Sequence, residues 1–142
     1  MDTVVIVNPI AGNGKTKKIW PLIETDLKES IGSFEVKFTS GRGDASILTR
    51  QAFERGFVRI IAVGGDGLLN EVLNGFILND VQINEEACLS FIMTGTGCDF
   101  QRSLGVSEDW KIAIENLKNA KSRKIDIGKV KYTDSEKKEK IG

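Results

Sequence analysis

The chain has 142 residues, 40% hydrophobic and 28% charged, which is enough apolar content to bury the core of one globular domain. Its 20 Lys and Arg balance 20 Asp and Glu, so no basic excess argues for nucleic acid as a partner. No apolar stretch approaches the roughly 20 residues needed to cross a bilayer, which leaves a peripheral membrane surface as the membrane contact to expect. Cys88 and Cys98 lack the C-x-x-C spacing of a zinc site and are too few for a disulfide framework. Both are expected as thiols in a reducing cytoplasm. The N-terminus enters a strand-like run directly after Asp2, without the basic flank and length of a signal peptide.

Thr3 to Val7 is dominated by β-branched residues and ends at Asn8-Pro9, where proline stops an interior strand. Gly12, Asn13 and Gly14 form a loop. Lys15 to Ile31 then carries apolar residues at Ile19, Leu22, Ile23 and Leu27, with Gly32 as a C-terminal stop. Pro21 inside this pattern predicts a helix that begins or kinks there. Phe34 to Thr39 alternates as a strand with one wetter face. After a loop from Gly41, Asp44 reads as the N-cap of a helix from Ala45 to about Glu54, ended by Gly56.

Val58 to Val63 is the third strand. It stops at the glycine cluster Gly64 to Gly67, and Leu69, Val72, Leu73 and Phe76 continue at helical spacing, predicting a helix to about Leu78. A polar break over Asn79 to Glu86 precedes Cys88 to Met93, a fourth buried strand that ends at Gly95-Thr96-Gly97. Val106 to Ala120 reads as a helix with Ser107 as N-cap, Glu108 and Asp109 in its first turn, and Trp110, Ile114 and Leu117 on one face. Ile125 to Tyr132 is a last strand, and Thr133 to Ile141 a charged tail. No repeat or low-complexity segment interrupts this order.

Strands alternating with helices predict a parallel sheet covered on both faces, with ligands beyond the carboxyl ends of the strands. Three unusual loops follow strands: Asn8 to Gly14, Gly64 to Gly67, and Gly95 to Gly97. They are expected to gather at one edge. The second is a strand, a tight loop and a helix N-terminus, a junction that collects backbone N–H groups and the positive end of a helix dipole and so suits phosphate.

Two common nucleotide motifs fail. A Walker loop ending at Gly14-Lys15-Thr16 would need glycine where Pro9 stands. The fingerprint G-x-G-x-x-G breaks at Lys17, at Asn70 and at Phe100 when begun from Gly12, Gly65 and Gly95.

Asn8-Pro9-Ile10-Ala11-Gly12, then Gly64-Gly65-Asp66-Gly67 with Asn70, Glu71, Val72, Asn74 and Gly75, then Gly95-Thr96-Gly97 with Asp99 and Phe100, resemble in that order the diacylglycerol kinase catalytic domain. This is the nucleotide-binding half shared by diacylglycerol, sphingosine and related bacterial lipid kinases, and the likeness runs from Val4 to about Val130. Ile125-Asp126-Ile127-Gly128 resembles the family's strand into its second domain. A lone Gly-Gly-Asp-Gly also suits NAD kinases and phosphofructokinase-like enzymes, and the two flanking motifs tip the choice.

The resemblance implies a three-layer α/β domain, mainly parallel, of the phosphofructokinase/NAD-kinase-like N-terminal type. It implies ATP bound by Thr39, Gly65, Asp66, Gly67, Leu68, Leu69, Asn70, Glu71 and Thr96, with Asn8, Lys15, Gly64, Gly95 and Asp99 as weaker candidates. Mg²⁺ would lie between Asp66 and the phosphates. The γ-phosphate would pass to the hydroxyl of diacylglycerol or a related lipid, so the partners are nucleotide and lipid, with a peripheral membrane surface and a homo-oligomer both open. Residues 1–132 would be the nucleotide domain and 133–142 a polar tail or the start of a second, β-rich domain that holds the catalytic base. Without that domain the fragment should not turn over.

Two positions depart from the family: Leu68 stands where threonine is usual, removing a hydroxyl from the phosphate loop, and Cys98 stands where asparagine is usual. Simpler readings compete. Gly64-Gly65 would merely allow a tight turn and Asp66 cap the helix, Trp20 and Trp110 would be packing rather than a stacking platform, and Arg42 and Arg102 are either phosphate partners or solvated charges. Lys137 to Lys140 reads as a disordered end rather than a membrane patch. An NAD-kinase-like enzyme and a non-catalytic nucleotide-binding or interaction module remain as alternative functions.

Overall fold

Five consecutive β-branched residues, Thr3–Val7, form the first strand (β1), and all five are buried. That is the pattern of a strand covered on both faces. The computed structural model describes residues 3–78, 81–82, 87–94 and 110–119. After β1 come α1 (Lys15–Ile31), β2 (Glu35–Phe38), α2 (Asp44–Glu54), β3 (Arg59–Gly64), α3 (Asp66–Gly75), β4 (Ile77–Leu78), β5 (Val81–Gln82), β6 (Cys88–Met93) and α4 (Trp110–Asn119).

Four strands make a parallel sheet in the order β2-β1-β3-β6. Alternate side chains go to opposite layers. Val4 and Ile6 of β1 and Ile60 and Ala62 of β3 face α2 and α3, where Ala45, Ala52, Phe53, Leu68, Val72 and Phe76 complete a core. Val5, Val7, Ile61, Val63 and Ile92 face the other way, against Trp20, Ile23 and Leu27 of α1 and Ala113 and Ile114 of α4. The result is the three-layer α/β fold expected, with helices on both faces. Trp20 is core, as its helical spacing implied, and Trp110 packs beside it with Leu117. Among the described residues no helix is long and apolar enough to cross a membrane.

Four local expectations need correction. Helix α1 starts at Lys15 and runs through Pro21. Pro21 has no N–H for the carbonyl four residues back, yet one missing bond is affordable in a helix whose Trp20, Ile23 and Leu27 are all buried. Asp44 is not an N-cap: α2 is capped by Gly43 in a left-handed conformation (φ 87°), and Asp44 lies in the first turn. Asp66 likewise is the first residue of α3, after an extended Gly65.

Helix α3 also stops at Gly75, not near Leu78, and Ile77–Leu78 pairs antiparallel with Val81–Gln82 inside the stretch read as a polar break. The reason is close packing. A Cβ on Gly75 would stand 2.6 Å from Thr49 Cβ and 2.9 Å from the Ser46 carbonyl oxygen, so α2 and α3 nearly touch there. Phe76 then turns into the core, edge-on to Phe53 with centroids 4.9 Å apart.

Arg50 of α2 finishes this end of α3, its Nη2 donating to the Asn74 and Ile77 carbonyls at 3.3 and 3.4 Å. Both bonds are long, so Arg50→Met is expected to cost only about 1 kcal/mol, read as a lower urea midpoint with unchanged slope.

Candidate nucleotide site at the carboxyl edge of the sheet

The order β2-β1-β3-β6 makes β1 and β3 neighbours whose connections leave in opposite directions, β1 toward β2 and β3 toward β6. That is a switch point, and the crevice above such a point is where open α/β sheets bind ligands. The residues that follow β1, β2 and β6 bond there to the last residues of neighbouring strands. Asn8 N–H donates to the Val63 carbonyl at 3.0 Å, Thr39 N–H to Val7 at 2.9 Å, and Thr94 N–H to Gly64 at 2.8 Å.

The loop after β1 is folded on itself. Lys15, Thr16 and Lys17, at the start of α1, donate their N–H groups to the carbonyls of Gly12, Ala11 and Pro9 at 3.2, 3.3 and 3.1 Å. The α1 terminus is therefore closed by its own loop, which agrees with the failed Walker match. Lys15 is exposed, and Asn8 uses its Oδ1 to accept Ile10 N–H at 3.3 Å.

Helix α3 begins differently. Its N-cap, Gly65, has no side chain to offer, and its first helical bond runs from Leu69 N–H to the Gly65 carbonyl at 3.1 Å. The N–H groups of Gly67 and Leu68 precede that bond in the first turn, where the first donors of any helix lack intrahelical partners. Gly67 is exposed, and a Cβ there would meet nothing within 4 Å. The α3 terminus thus stands at the switch point, with the Asp66 carboxylate in its first turn.

The residues expected to line the site divide. Gly67 and Asn70 are exposed at the α3 terminus, and Gly65 and Asp66 are half-buried there. Leu68 and Leu69 do not: they are 5% and 2% exposed, and Leu68 belongs to the core facing α2. Their side chains cannot line a pocket, and only their backbone remains available. The Leu68 side chain also fills the space beside Gly64, where a Cβ would lie 2.7 Å from Leu68 Cδ2 and 3.3 Å from Asn8 Cβ. Glu71 is half-buried, and its Oε1 accepts Gly43 N–H at 2.7 Å. Thr39 stands half-buried at the end of β2, and Arg42 is exposed on the loop that follows. Gly95, Thr96, Cys98, Asp99, Phe100 and Arg102, with the cap expected at Ser107, the strand expected over 125–132 and the tail, lie outside the described residues.

The loop after β2 has its own closure. Asp44 Oδ2 accepts the Ser40 N–H at 2.8 Å and the Ser40 hydroxyl at 2.6 Å. The Ser40 hydroxyl and N–H hold the Asp44 carboxyl below the usual carboxylate range. Its contribution is therefore present above the unfolded value and fades as pH falls through the lower folded one.

Two residues without a motif prove central. Thr16 and Thr94 are buried, and their hydroxyls meet at 2.5 Å while Thr16 also donates to the Ala11 carbonyl at 3.0 Å. This pair ties the start of α1 to the end of β6. A lone threonine among lysines carries no signal that could have revealed it.

Comparison with known proteins agrees with this geometry. The family model of the diacylglycerol kinase catalytic domain matches residues 2–130. A diacylglycerol kinase of Bacillus subtilis (strain 168) is 35% identical over 127 residues, covering 89% of this chain and 41% of that protein. One of Staphylococcus haemolyticus is 32% identical over 126 residues, covering 89% and 37%. The crystal structure of a diacylglycerol kinase from Bacillus anthracis superposes with a TM-score of 0.70 at 29% identity, over 83% of this chain and 42% of that one. The chain thus spans about two fifths of the length of these relatives. By its motifs, its fold and the match over residues 2–130, the chain belongs to the diacylglycerol kinase catalytic domain family.

Proposed function

We propose that this chain is the nucleotide-binding part of a lipid kinase, which seats ATP at the α3 terminus and passes its γ-phosphate to the hydroxyl of diacylglycerol or a related lipid. The observation that carries this reading is the start of α3 after Gly65, with Gly67 exposed in its first turn, at the switch point between β1 and β3. Backbone donors at a helix N-terminus suit phosphate oxygens, and glycines at 65 and 67 let phosphate approach the backbone. Gly65, Asp66, Gly67, Asn70 and Thr39 would bind through side chain or backbone, Leu68 and Leu69 through backbone alone. Thr96, Asn8, Lys15, Gly64, Gly95 and Asp99 complete the proposed set.

Among the described residues no group of three or more His, Cys, Asp or Glu could hold a metal ion. Mg²⁺ would arrive on the nucleotide, as an ion that keeps its waters and takes a carboxylate plus phosphate oxygens, here the carboxylate of Asp66. When bound, the ion neutralises phosphate charge. In the reaction the lipid oxygen bonds to the γ-phosphorus, the bond to the ADP oxygen breaks, and the hydroxyl proton leaves to a base. The chain contains no histidine. We place the base in a second, β-rich domain, with residues 1–132 as the nucleotide domain and 133–142 leading toward the rest, and the lipid met at a membrane surface.

Calorimetric titration of the chain tests the nucleotide half. Mg-ATP is expected to saturate in the millimolar range or below, NAD not to compete, and Asp66→Asn to weaken Mg-ATP by about tenfold, or about 1.4 kcal/mol, while sparing metal-free ATP. A folded chain that ignores millimolar Mg-ATP would sink the reading.

A further inference from the structure

The Thr16 hydroxyl has one hydrogen and two oxygen neighbours. It lies 3.0 Å from the Ala11 carbonyl, which can only accept, and 2.5 Å from the Thr94 hydroxyl. Its hydrogen therefore goes to Ala11, and the hydrogen between the two threonines comes from Thr94. The bonds form a directed relay from Thr94 to Thr16 to Ala11, closed to solvent, with Thr16 0% and Thr94 5% exposed.

Ala11 is in the middle of the loop after β1. Its carbonyl also accepts the Thr16 N–H at 3.3 Å, and its own N–H donates to the Asn8 carbonyl at 3.2 Å. The far end of the relay is held as firmly: Thr94 follows β6 directly, and its N–H donates to the Gly64 carbonyl, at the end of β3, at 2.8 Å. The ends of β1, β3 and β6 are thus joined around one buried pair of hydroxyls at the carboxyl edge.

We propose that Thr16 and Thr94 are a positioning pair for the nucleotide site: their relay draws the loop after β1, from Asn8 to Lys15, against the ends of β3 and β6, and it acts through the Ala11 carbonyl. This rests on the nucleotide reading above. Packing alone does not call for hydroxyls at these two positions, since valine has nearly the shape of threonine. What the hydroxyls add is a 2.5 Å approach, whereas carbon atoms meet at about 3.5–4.0 Å. Two valines would hold the segments about 1 Å further apart, and a loop so displaced must be drawn back when nucleotide binds.

The test uses the 142-residue chain with Thr16→Val, Thr94→Val, the double valine variant, and Thr16→Ser and Thr94→Ser, which keep the hydroxyls. The direction of the relay makes the single valine variants unequal in stability. Thr16→Val leaves the Thr94 O–H buried without its acceptor and should lower the melting temperature more than Thr94→Val, which leaves only a lone pair unmatched. The double variant removes the orphaned O–H and should melt above Thr16→Val. Affinity for Mg-ATP, titrated at a temperature where every variant is folded, should not follow that order. It is expected to fall about fivefold in all three valine variants and to stay within about twofold of the parent in the serine variants. Exchange of the Thr16 amide, read without nucleotide, should speed up wherever affinity falls, while the Asn8 amide, bonded to Val63 of β3, stays slow. If Thr16→Val does not fold, Thr94→Val and the double variant decide. Affinity that tracks melting temperature, affinity unchanged in the double variant, or serine variants as weak as valine would each overturn the proposal. A parent chain that binds no Mg-ATP ends the nucleotide reading and this role with it, whereas a parent that binds and valine variants that bind equally well end this role alone.

Discussion

Gly12→Ala is expected to unfold the chain at a lower temperature and to cut Mg-ATP affinity by at least about tenfold, because the substitution strikes the point where two loops of the site join. Gly12 has φ +65°, and a Cβ there would stand 2.6 Å from the Thr94 carbonyl oxygen and 3.3 Å from Lys15 Cβ. The oxygen cannot retreat. Thr94 is held by its N–H on the Gly64 carbonyl at 2.8 Å and by its hydroxyl on Thr16. Left-handed backbone at a residue with a Cβ costs about 1–3 kcal/mol, and forcing an atom into filled space costs a similar amount again. The sum is about 2–6 kcal/mol, or on the order of 10–20 °C in a domain of this size. Gly14→Ala is the control. It has φ +86° but open space around a Cβ, so it should carry the strain without the clash and leave nucleotide affinity alone. Equal losses from both would mean that the Thr94 contact is unimportant.

Leu68→Thr is expected to cost about 2–4 kcal/mol of stability and to leave nucleotide affinity no better, although it restores the residue usual in this family at that position. From sequence, Leu68 stands for a lost hydroxyl in the phosphate loop. In the structure its side chain is buried with Val4, Ile6, Ala62 and Val72 and covers Gly64. Threonine there would withdraw methyl groups from a packed layer and bury an oxygen near the helix start, where a carbonyl of the preceding turn would compete for it. Thermal melting and ATP titration of the variant decide the matter. A gain in affinity without loss of melting temperature would return Leu68 to the binding surface.

Where one physical effect dominated, sequence and structure coincide. The expected bounds of β1 and β6 agree with the structure to the residue, because short runs of mostly apolar or β-branched residues, closed off within two residues by proline or glycine, favour one reading. That the loops after β1 and β3 leave from one edge of the sheet follows from strand alternation alone. The end of α3 was misread because Phe76 keeps helical phase while pointing into the core, so periodicity continued past the helix. Asp44 and Asp66 looked like caps because aspartate favours that position, but glycine took it in both cases. The bond from Glu71 to Gly43 joins residues with no local relation, and no pattern within one element could reveal it.

The central place of β1 has a consequence for synthesis. Its neighbours are β2, about 30 residues later, and β3, about 55 later, and Val4 and Ile6 gain their full cover only with Phe76. At roughly 5–20 residues per second, a nascent chain carries this wholly apolar strand for several seconds before the sheet can close over it. Ribosome-bound intermediates ending before residue 64 should therefore be sticky. β1 is made before both of its neighbours and is fully enclosed only after them.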